Sequence, residues 1–453
     1  MSERRYFGTD GIRDVANTGN LTPDMVLRIG HAIGKTLSGR AQPGKRPKAL
    51  LVRDTRISGP MISSILSGAL LSHGVDVFDG GVLPTPACAL LARRGEFDCG
   101  VVISASHNPM PDNGIKLFGP NGRKLSDEAE IEIERWIDRG GAHDSDRTGG
   151  DLGRLSPYRE GENIYIEAMV QEFFRELDLS NLGIVVDCAH GAAFRTAPRI
   201  LAAMGANVTV LGEKPDGTNI NLKAGVFHAS DLGPIIAHEK AHLGIALDGD
   251  ADRVILVDQH GRVCDGDVIL AALARRLPAG AKRELVVTVM SNMGLHAAAR
   301  ELGLRVHQTP VGDRYVAEKM DAEGVSFGGE QSGHIIFRTP AGWFGDGLYS
   351  ALRVIEAFGA DPVRLGELSA AMQRYPQVLK NMKVREKQPI SELAVVQEAI
   401  RRHEKTLGDD GRILVRYSGT EMLARIMVEG KDAAQIEAIA ADLVRVLGSE
   451  IGV

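Results

Sequence analysis

The sequence predicts an α/β protein: three similar mixed-sheet α/β domains followed by a smaller C-terminal α+β domain. Three observations predict it. At 453 residues the chain is too long for one ordinary core and suits about three or four domains. A strand–helix–strand unit recurs three times, ending each time in an apolar strand and a polar loop. Beyond Tyr375-Pro376 the rhythm changes to strand, helix, two strands, helix.

Composition narrows the class. A hydrophobic share of 43% with 25% charged residues is that of a globular protein. The 53 basic and 59 acidic residues leave a net charge of −6, which argues against nucleic acid or a membrane surface as partner. Cys88, Cys99, Cys188 and Cys264 form no C-x-x-C pair, so neither a zinc site nor a disulfide framework is expected. The opening MSERRYFGTDGIRD has no apolar signal core, and no stretch approaches the roughly 18 apolar residues of a membrane helix. A reducing cytoplasm is the expected location.

In the first unit, residues 4–14 are rich in glycine and charge. A helix is expected from Thr22-Pro23, an N-cap followed by a first-turn proline. Ala49–Val52 reads as a strand ending in Arg53-Asp54-Thr55, then a helix over 60–73 and a strand over Val75–Phe78. After Pro84-Thr85-Pro86 and a further helix, Gly100–Ser104 carries Val101-Val102-Ile103, the mark of a buried strand. Small and polar residues follow, Ser104-Ala105-Ser106-His107-Asn108-Pro109, and Pro111, Asn113 and Gly114 predict irregular chain beyond them.

The second unit runs from the strand Ile184–Asp187 through a helix over 193–204 and the strand Val208–Leu211. It closes with the strand Leu243–Leu247 and the loop Asp248-Gly249-Asp250-Ala251-Asp252-Arg253. The third has a strand over Leu285–Val289, a helix over 294–302, a strand over 304–307, and Val325-Ser326-Phe327 leading into GGEQSGH, residues 328–334. The Gly, Asp, Ser and Arg-rich stretch 140–159, a break near Asp258–Gly261 and Tyr375-Pro376 divide the chain into 1–150, 151–258, 259–374 and 375–453. In the last, helices over 391–404 and 432–447 and strands over 412–417 and 423–429 are expected.

Chemistry concentrates in the polar loops. Ser106 lies just past the carboxyl end of a buried strand, the end at which open α/β sheets bind ligands, with His107 beside it and Lys116 ten residues on. Asp248, Asp250 and Asp252, at i, i+2 and i+4 of a strand-like loop, point their carboxylates one way and suit a hard cation such as Mg²⁺ or Ca²⁺. An EF-hand is excluded, because Arg253 and Gln259 stand where it needs Gly and Glu. Glu330, Ser332 and His334 offer a charged acceptor, a hydroxyl and an imidazole. Arg416, Ser418, Gly419 and Thr420, with Arg425 nearby, make a phosphate cradle, and Arg13 in its glycine-rich turn can reach a phosphate. Gly30–Thr36 is one residue short of a P-loop and reads as helix.

The strings FGTDGIR, SASHNP, DGDADR, GEQSGH and RYSGTE, in this order, resemble the signatures of the α-D-phosphohexomutases over the whole chain. One departure is Asp14, where many relatives carry glycine. The resemblance implies four domains around a central cleft and a phosphoryl group carried on Ser106. It implies Mg²⁺ held by Ser106, Asp248, Asp250 and Asp252, and Arg13, His107 and Lys116 as catalytic groups. Arg253, Glu330, Ser332 and His334 would read the sugar, and Arg416, Ser418, Gly419, Thr420 and Arg425 the phosphate that does not react. A sugar phosphate is the implied substrate, glucosamine or glucose 1,6-bisphosphate the activator, and a homodimer the assembly. Within the family, Gln331 points to an amino sugar, with glucose or mannose phosphate as alternatives. A serine hydrolase using Ser106-His107 and a non-catalytic sugar-phosphate binder are the competing classes.

Overall fold

The computed structural model describes residues 4–8, 10–42, 44–95, 97–140, 145–278, 280–339, 342–418 and 422–453. The chain divides into two compact units, Met1–Val289 with His307–Ser369, and Met290–Val306 with Ala370–Val453. Among the described residues there are four sheets, three mixed and one antiparallel.

In the first sheet the order is Ile12–Val15, Asp112–Phe118, Cys99–Ile103, Lys48–Arg53, Asp76–Val82, Leu155–Pro157. Lys48–Arg53 pairs in parallel with Asp76–Val82 and Cys99–Ile103, and Asp112–Phe118 returns antiparallel. The second runs Val263–Cys264, Val254–Asp258, Leu243–Leu247, Gly183–Asp187, Asn207–Leu211, and the third Arg305–Thr309, Glu284–Thr288, Phe327–Gly329, Ile335–Thr339, Gly342–Gly345. All three share one plan. The first strand lies between the second and the third, and a fourth returns antiparallel beside the third. The chain between third and fourth strands is Ser104–Pro111, Asp248–Arg253 and Glu330–His334 in turn. The three polar loops therefore occupy one topological position.

Burial explains the strands. Every residue of Cys99–Ile103 and of Leu243–Leu247 is buried, as expected where helices cover both faces of a sheet. Each such Val, Leu or Ile contributes about 1.5–3 kcal/mol on leaving water. The helices Pro23–Arg40 and Gly59–Ser72 pack together on the first sheet, and a Cβ on Gly30 would meet the Ala69 Cβ at 2.6 Å. The glycines of the near P-loop string are thus inside a helix, where Gly30 lets a neighbour approach.

The structure corrects one reading of the first unit. Asp112–Phe118 is a strand, not irregular chain. The Asn113-Gly114 pair is tolerated because this strand must pass close to its neighbour: a Cβ on Gly114 would meet the Ser104 carbonyl at 2.5 Å, and Ser104 N–H donates to Gly114 O at 3.0 Å. Asp14 also fits. Its carboxylate accepts from Val15 and Asn20 N–H, both at 2.9 Å, and closes the turn after the edge strand.

In the second unit Gln377–Lys383, Leu423–Gly430 and Gly411–Tyr417 form the antiparallel sheet, with Leu423–Gly430 central. The helices Ala394–Leu407 and Ala433–Ile451 bury Val396, Ile436, Ile439 and Leu443 against it. Among the described residues no helix is long and apolar enough to cross a membrane.

Candidate active site

Ser106 is fully buried and has φ +54°, a left-handed backbone unusual for serine. The conformation is held by groups the sequence does not announce. Ser104 Oγ accepts from Ser106 N–H at 2.9 Å and donates to Asp54 at 2.7 Å. Arg56, wholly buried, pairs with Asp54 at 2.9 Å and donates to the carbonyls of Ser106 at 3.0 Å, Asn108 at 2.8 Å, and Pro109. Asn221, from the second sheet's region, donates to the Ser106 and Asn108 carbonyls at 2.9 and 3.1 Å. Burial pushes the Asp54 carboxyl up, and Arg56 works against that. The only sequence signal for this clamp is a charged Arg-Asp-Thr-Arg run directly after an apolar strand.

Ser106 Oγ donates to Asp248 Oδ2 at 2.5 Å and lies 3.2 Å from His107 Nδ1. The carboxylates of Asp248, Asp250 and Asp252 are buried, with one oxygen of each within 4.8 Å of the others. They meet by a turn and not by the strand-like alternation expected. Ala251 has φ +59°, and its N–H donates to Asp248 O at 3.0 Å, closing the chain so that its acids face one point. Three sheets grip this turn. Thr85 N–H donates to Asp250 O at 2.9 Å, Ala192 N–H to Gly249 O at 2.8 Å, and Gly347 N–H to Ala251 O at 3.0 Å. Gly347 cannot be larger, since a Cβ there would lie 2.4 Å from Arg253 O.

Lys116 Nζ sits among the acids, 2.8 Å from Asp250, 2.9 Å from Asp10 and 3.4 Å from Asp252. Burial works against its ammonium, but Asp10, Asp250 and Asp252 outweigh burial and raise its pKa. Asp248 is pushed well up, by burial first and then by Asp252 and Asp250. Asp252 is lowered: against burial, Lys116, His334 and Arg253 favour its anion. One carboxyl of the cluster thus resists ionisation while a neighbour keeps its charge, as expected where like charges are crowded together. Asp250 Oδ1 and Asp252 Oδ1 are buried with no hydrogen-bond partner among the described residues. An oxygen-only set with two such lone oxygens fits a hard divalent cation.

His107 is a neutral imidazole near pH 7. Burial first, then Arg253 and Arg13, push its pKa down to about 4. Its ring also meets the edge of the exposed Phe227, centroids 5.4 Å apart. Arg13 pairs with Asp10, and its Nε is buried without a partner among the described residues. Arg253 Nε stands 3.8 Å from Asp252.

The third loop joins the same place. Val254 N–H donates to Gly333 O at 3.1 Å, and His334 Nδ1 lies 3.9 Å from Asp252 while its Nε2 lies 4.0 Å from Asp313. Glu330 accepts from Gly312 N–H at 3.0 Å and from the exposed Ser332 at 3.2 Å. Asp10, Lys124 and Asp313, which sequence reasoning misses, join Lys116 to His334: Lys124 bonds Asp10 at 2.5 Å and Asp313 at 2.7 Å. A cavity of about 430 Å³ lies beside this chain of charges, lined by Arg123, Lys124, Asp252, Arg314, His334 and Trp343 among others. Ser106 does not line it, so it adjoins the reaction centre without containing it.

In the second unit, Arg416 and Arg425 face each other across the ladder of Gly411–Tyr417 and Leu423–Gly430. Directly opposed residues share a sheet face, and like charges there repel. An anion lying over both guanidiniums would relieve the repulsion. Ser418 is buried at the end of that strand, and its carbonyl accepts from Lys387 at 2.7 Å. Gly419 and Thr420 lie outside the described residues.

The family models for phosphoglucomutase/phosphomannomutase match the chain in four pieces: α/β/α domain I over residues 4–143, domain II over 163–261, domain III over 265–375 and the C-terminal domain over 379–446. The chain is 46% identical to a phosphoglucosamine mutase of Desulforamulus reducens over 448 residues, 98% of this chain and 99% of that one. It is 47% identical to a phosphoglucosamine mutase of Pelotomaculum thermopropionicum, covering 97% and 98%. A crystal structure of a phosphoglucomutase/phosphomannomutase family protein from Burkholderia thailandensis superposes with a TM-score of 0.78 at 26% identity, over 99% of this chain and 98% of that one.

Proposed function

The chain belongs to the phosphoglucomutase/phosphomannomutase family, and on that premise we propose that it interconverts glucosamine 6-phosphate and glucosamine 1-phosphate, a step toward UDP-N-acetylglucosamine. It is an isomerase, and the reaction runs through a phosphoserine enzyme and a bisphosphate intermediate. The observation that carries the chemistry is Ser106 Oγ at 2.5 Å from a buried cluster of three carboxylates. Identity of 46% over nearly the full length of a phosphoglucosamine mutase carries the substrate.

Phospho-Ser106 gives its phosphoryl group to the free hydroxyl of the sugar monophosphate. The Ser106 O–P bond breaks, a sugar O–P bond forms, the sugar hydroxyl loses its proton and the serine oxygen gains one. The bisphosphate turns over, and its other phosphate returns to Ser106. Asp248, Asp250, Asp252 and an oxygen on Ser106 would hold Mg²⁺, which offsets charge on the group in transfer. Lys116, a fixed ammonium, and Arg13 stabilise the same charge. His107, neutral and 3.2 Å from Oγ, can accept a proton near the serine, with His334 as the alternative for that role; Lys116, the third candidate from the sequence, keeps its proton among Asp10, Asp250 and Asp252 and acts as a cation. Glu330, Ser332, His334 and Arg253 bind the sugar. Arg416, Ser418, Gly419, Thr420 and Arg425 bind the phosphate that does not react. We further propose a cytoplasmic homodimer that uses glucosamine or glucose 1,6-bisphosphate as activator.

The test is a mutase assay with glucosamine, glucose and mannose phosphates, with intact-mass measurement beside it. Glucosamine phosphate should be preferred by at least about tenfold in kcat/KM, some 1.4 kcal/mol at the transition state. One phosphate should be found on the protein and vanish in Ser106→Ala along with activity. Preference for glucose or mannose phosphate would overturn the substrate and leave the mutase standing; full activity in Ser106→Ala would overturn the mechanism.

A further inference from the structure

We propose that Thr85 is a positioning residue for the metal site: its hydroxyl decides which oxygen of Asp250 faces the cation. The proposal rests on the metal reading above and adds to it a residue outside the carboxylate turn. Thr85 opens the helix Thr85–Arg94 and is buried. It holds Asp250 at two points. Its N–H donates to the Asp250 carbonyl at 2.9 Å, and its Oγ1 donates to Asp250 Oδ2 at 2.6 Å. Lys116 Nζ donates to the same Oδ2 at 2.8 Å.

Two donors thus occupy one carboxylate oxygen, and the other, Oδ1, is buried with no partner among the described residues. A carboxylate free to turn about its last bond presents either oxygen and pays entropy when a cation selects one. Thr85 removes that freedom in advance. Lys116 does not do so alone, because its ammonium is shared with Asp10 and Asp252. The hydroxyl sits in the first turn of a helix, so its position is fixed by a rigid element.

Loss of a group that orients a metal ligand commonly lowers affinity by about ten- to a hundredfold. Thr85→Ala and Thr85→Ser differ from each other only by the hydroxyl, and Thr85→Val keeps the parent's shape without it. Mg²⁺ binding is measured by calorimetric titration on the full chain, with Asp250→Asn as reference, and melting temperatures are recorded for all variants. The expected result is Mg²⁺ affinity at least about tenfold weaker in the Ala and Val variants, with Ser close to the parent. Half-saturating Mg²⁺ in the mutase assay should shift in step, while kcat at saturating Mg²⁺ changes less. Equal affinity in the Ala and Ser variants, with the parent binding Mg²⁺ and Asp250→Asn not, would overturn this proposal alone. A parent that binds no Mg²⁺ would overturn the metal reading and this one with it. If the Ala and Val variants both lose the fold while Ser keeps it, the hydroxyl is structural and the proposal also fails.

Discussion

Arg56 shows how much of an active centre can lie behind the reacting group. Its guanidinium is wholly buried, paired with Asp54, and bonded to three carbonyls of the serine loop. Removing one partner of a buried pair leaves the other charge stranded, at a cost of about 3–5 kcal/mol. Arg56→Met should therefore lose about that much unfolding free energy, and should lose the Ser106 phosphate even where the chain remains folded. Urea denaturation followed by tryptophan fluorescence checks the first, and intact mass the second; a loss under 1 kcal/mol with phosphorylation intact would contradict this account. Ser106, His107 and the three aspartates are legible in the sequence because they cluster in short strings at the ends of apolar runs; Lys116, inside the strand Asp112–Phe118, is legible through the family resemblance. Asp54, Arg56 and Thr85 are not. Each is an ordinary residue after a strand or at a helix start, and its partner stands 50 or 165 residues away. Only the folded chain brings them together.

At the scale of elements, the helix Gly347–Ala357 begins with Asp346, whose carboxylate accepts from Tyr349 N–H at 2.9 Å and from the buried Tyr165 hydroxyl at 2.7 Å. Burial pushes the Asp346 carboxyl up to about 6, against the pull of those bonds. Its native pKa is above the unfolded value of 3.8, so the native state holds the proton more tightly. That contribution is fully present below about pH 4 and is lost as pH rises to about 6, an effect of roughly 3 kcal/mol. Asp346→Asn keeps an acceptor for the helix start and does not ionise. Its stability relative to the parent should rise between pH 4 and 6 and stay level above. Denaturant titrations at several pH values read the difference, and a constant difference would refute the assignment. Most helices and strands are legible from their periodicity and caps. Asp112–Phe118 is not, because Gly114 is dictated by the Ser104 carbonyl, which a Cβ at that position would meet at 2.5 Å, a neighbour invisible in the local string. The acid turn is misread for a related reason: a left-handed Ala251 carries no sequence mark.

For the whole molecule, the proposed function divides labour between binding a phosphate and moving one. Losing a charge-assisted hydrogen bond costs roughly 1.5–3 kcal/mol. Arg416→Ala should raise KM about ten- to a hundredfold and leave transfer from phospho-Ser106 to a small acceptor nearly intact. Equal loss of both would place Arg416 in the reaction centre. The threefold repeat is legible because each apolar strand ends in a polar loop, while the strand order that makes those loops equivalent is written in no single segment. The grip on the acid turn by Thr85, Ala192 and Gly347 has one more consequence. Each contributes from a different sheet's region, so the turn made in the second sheet gains its full set of backbone restraints only when the chain beyond the third sheet has packed against it. Until Gly347 has left the ribosome the aspartates lack their last restraint.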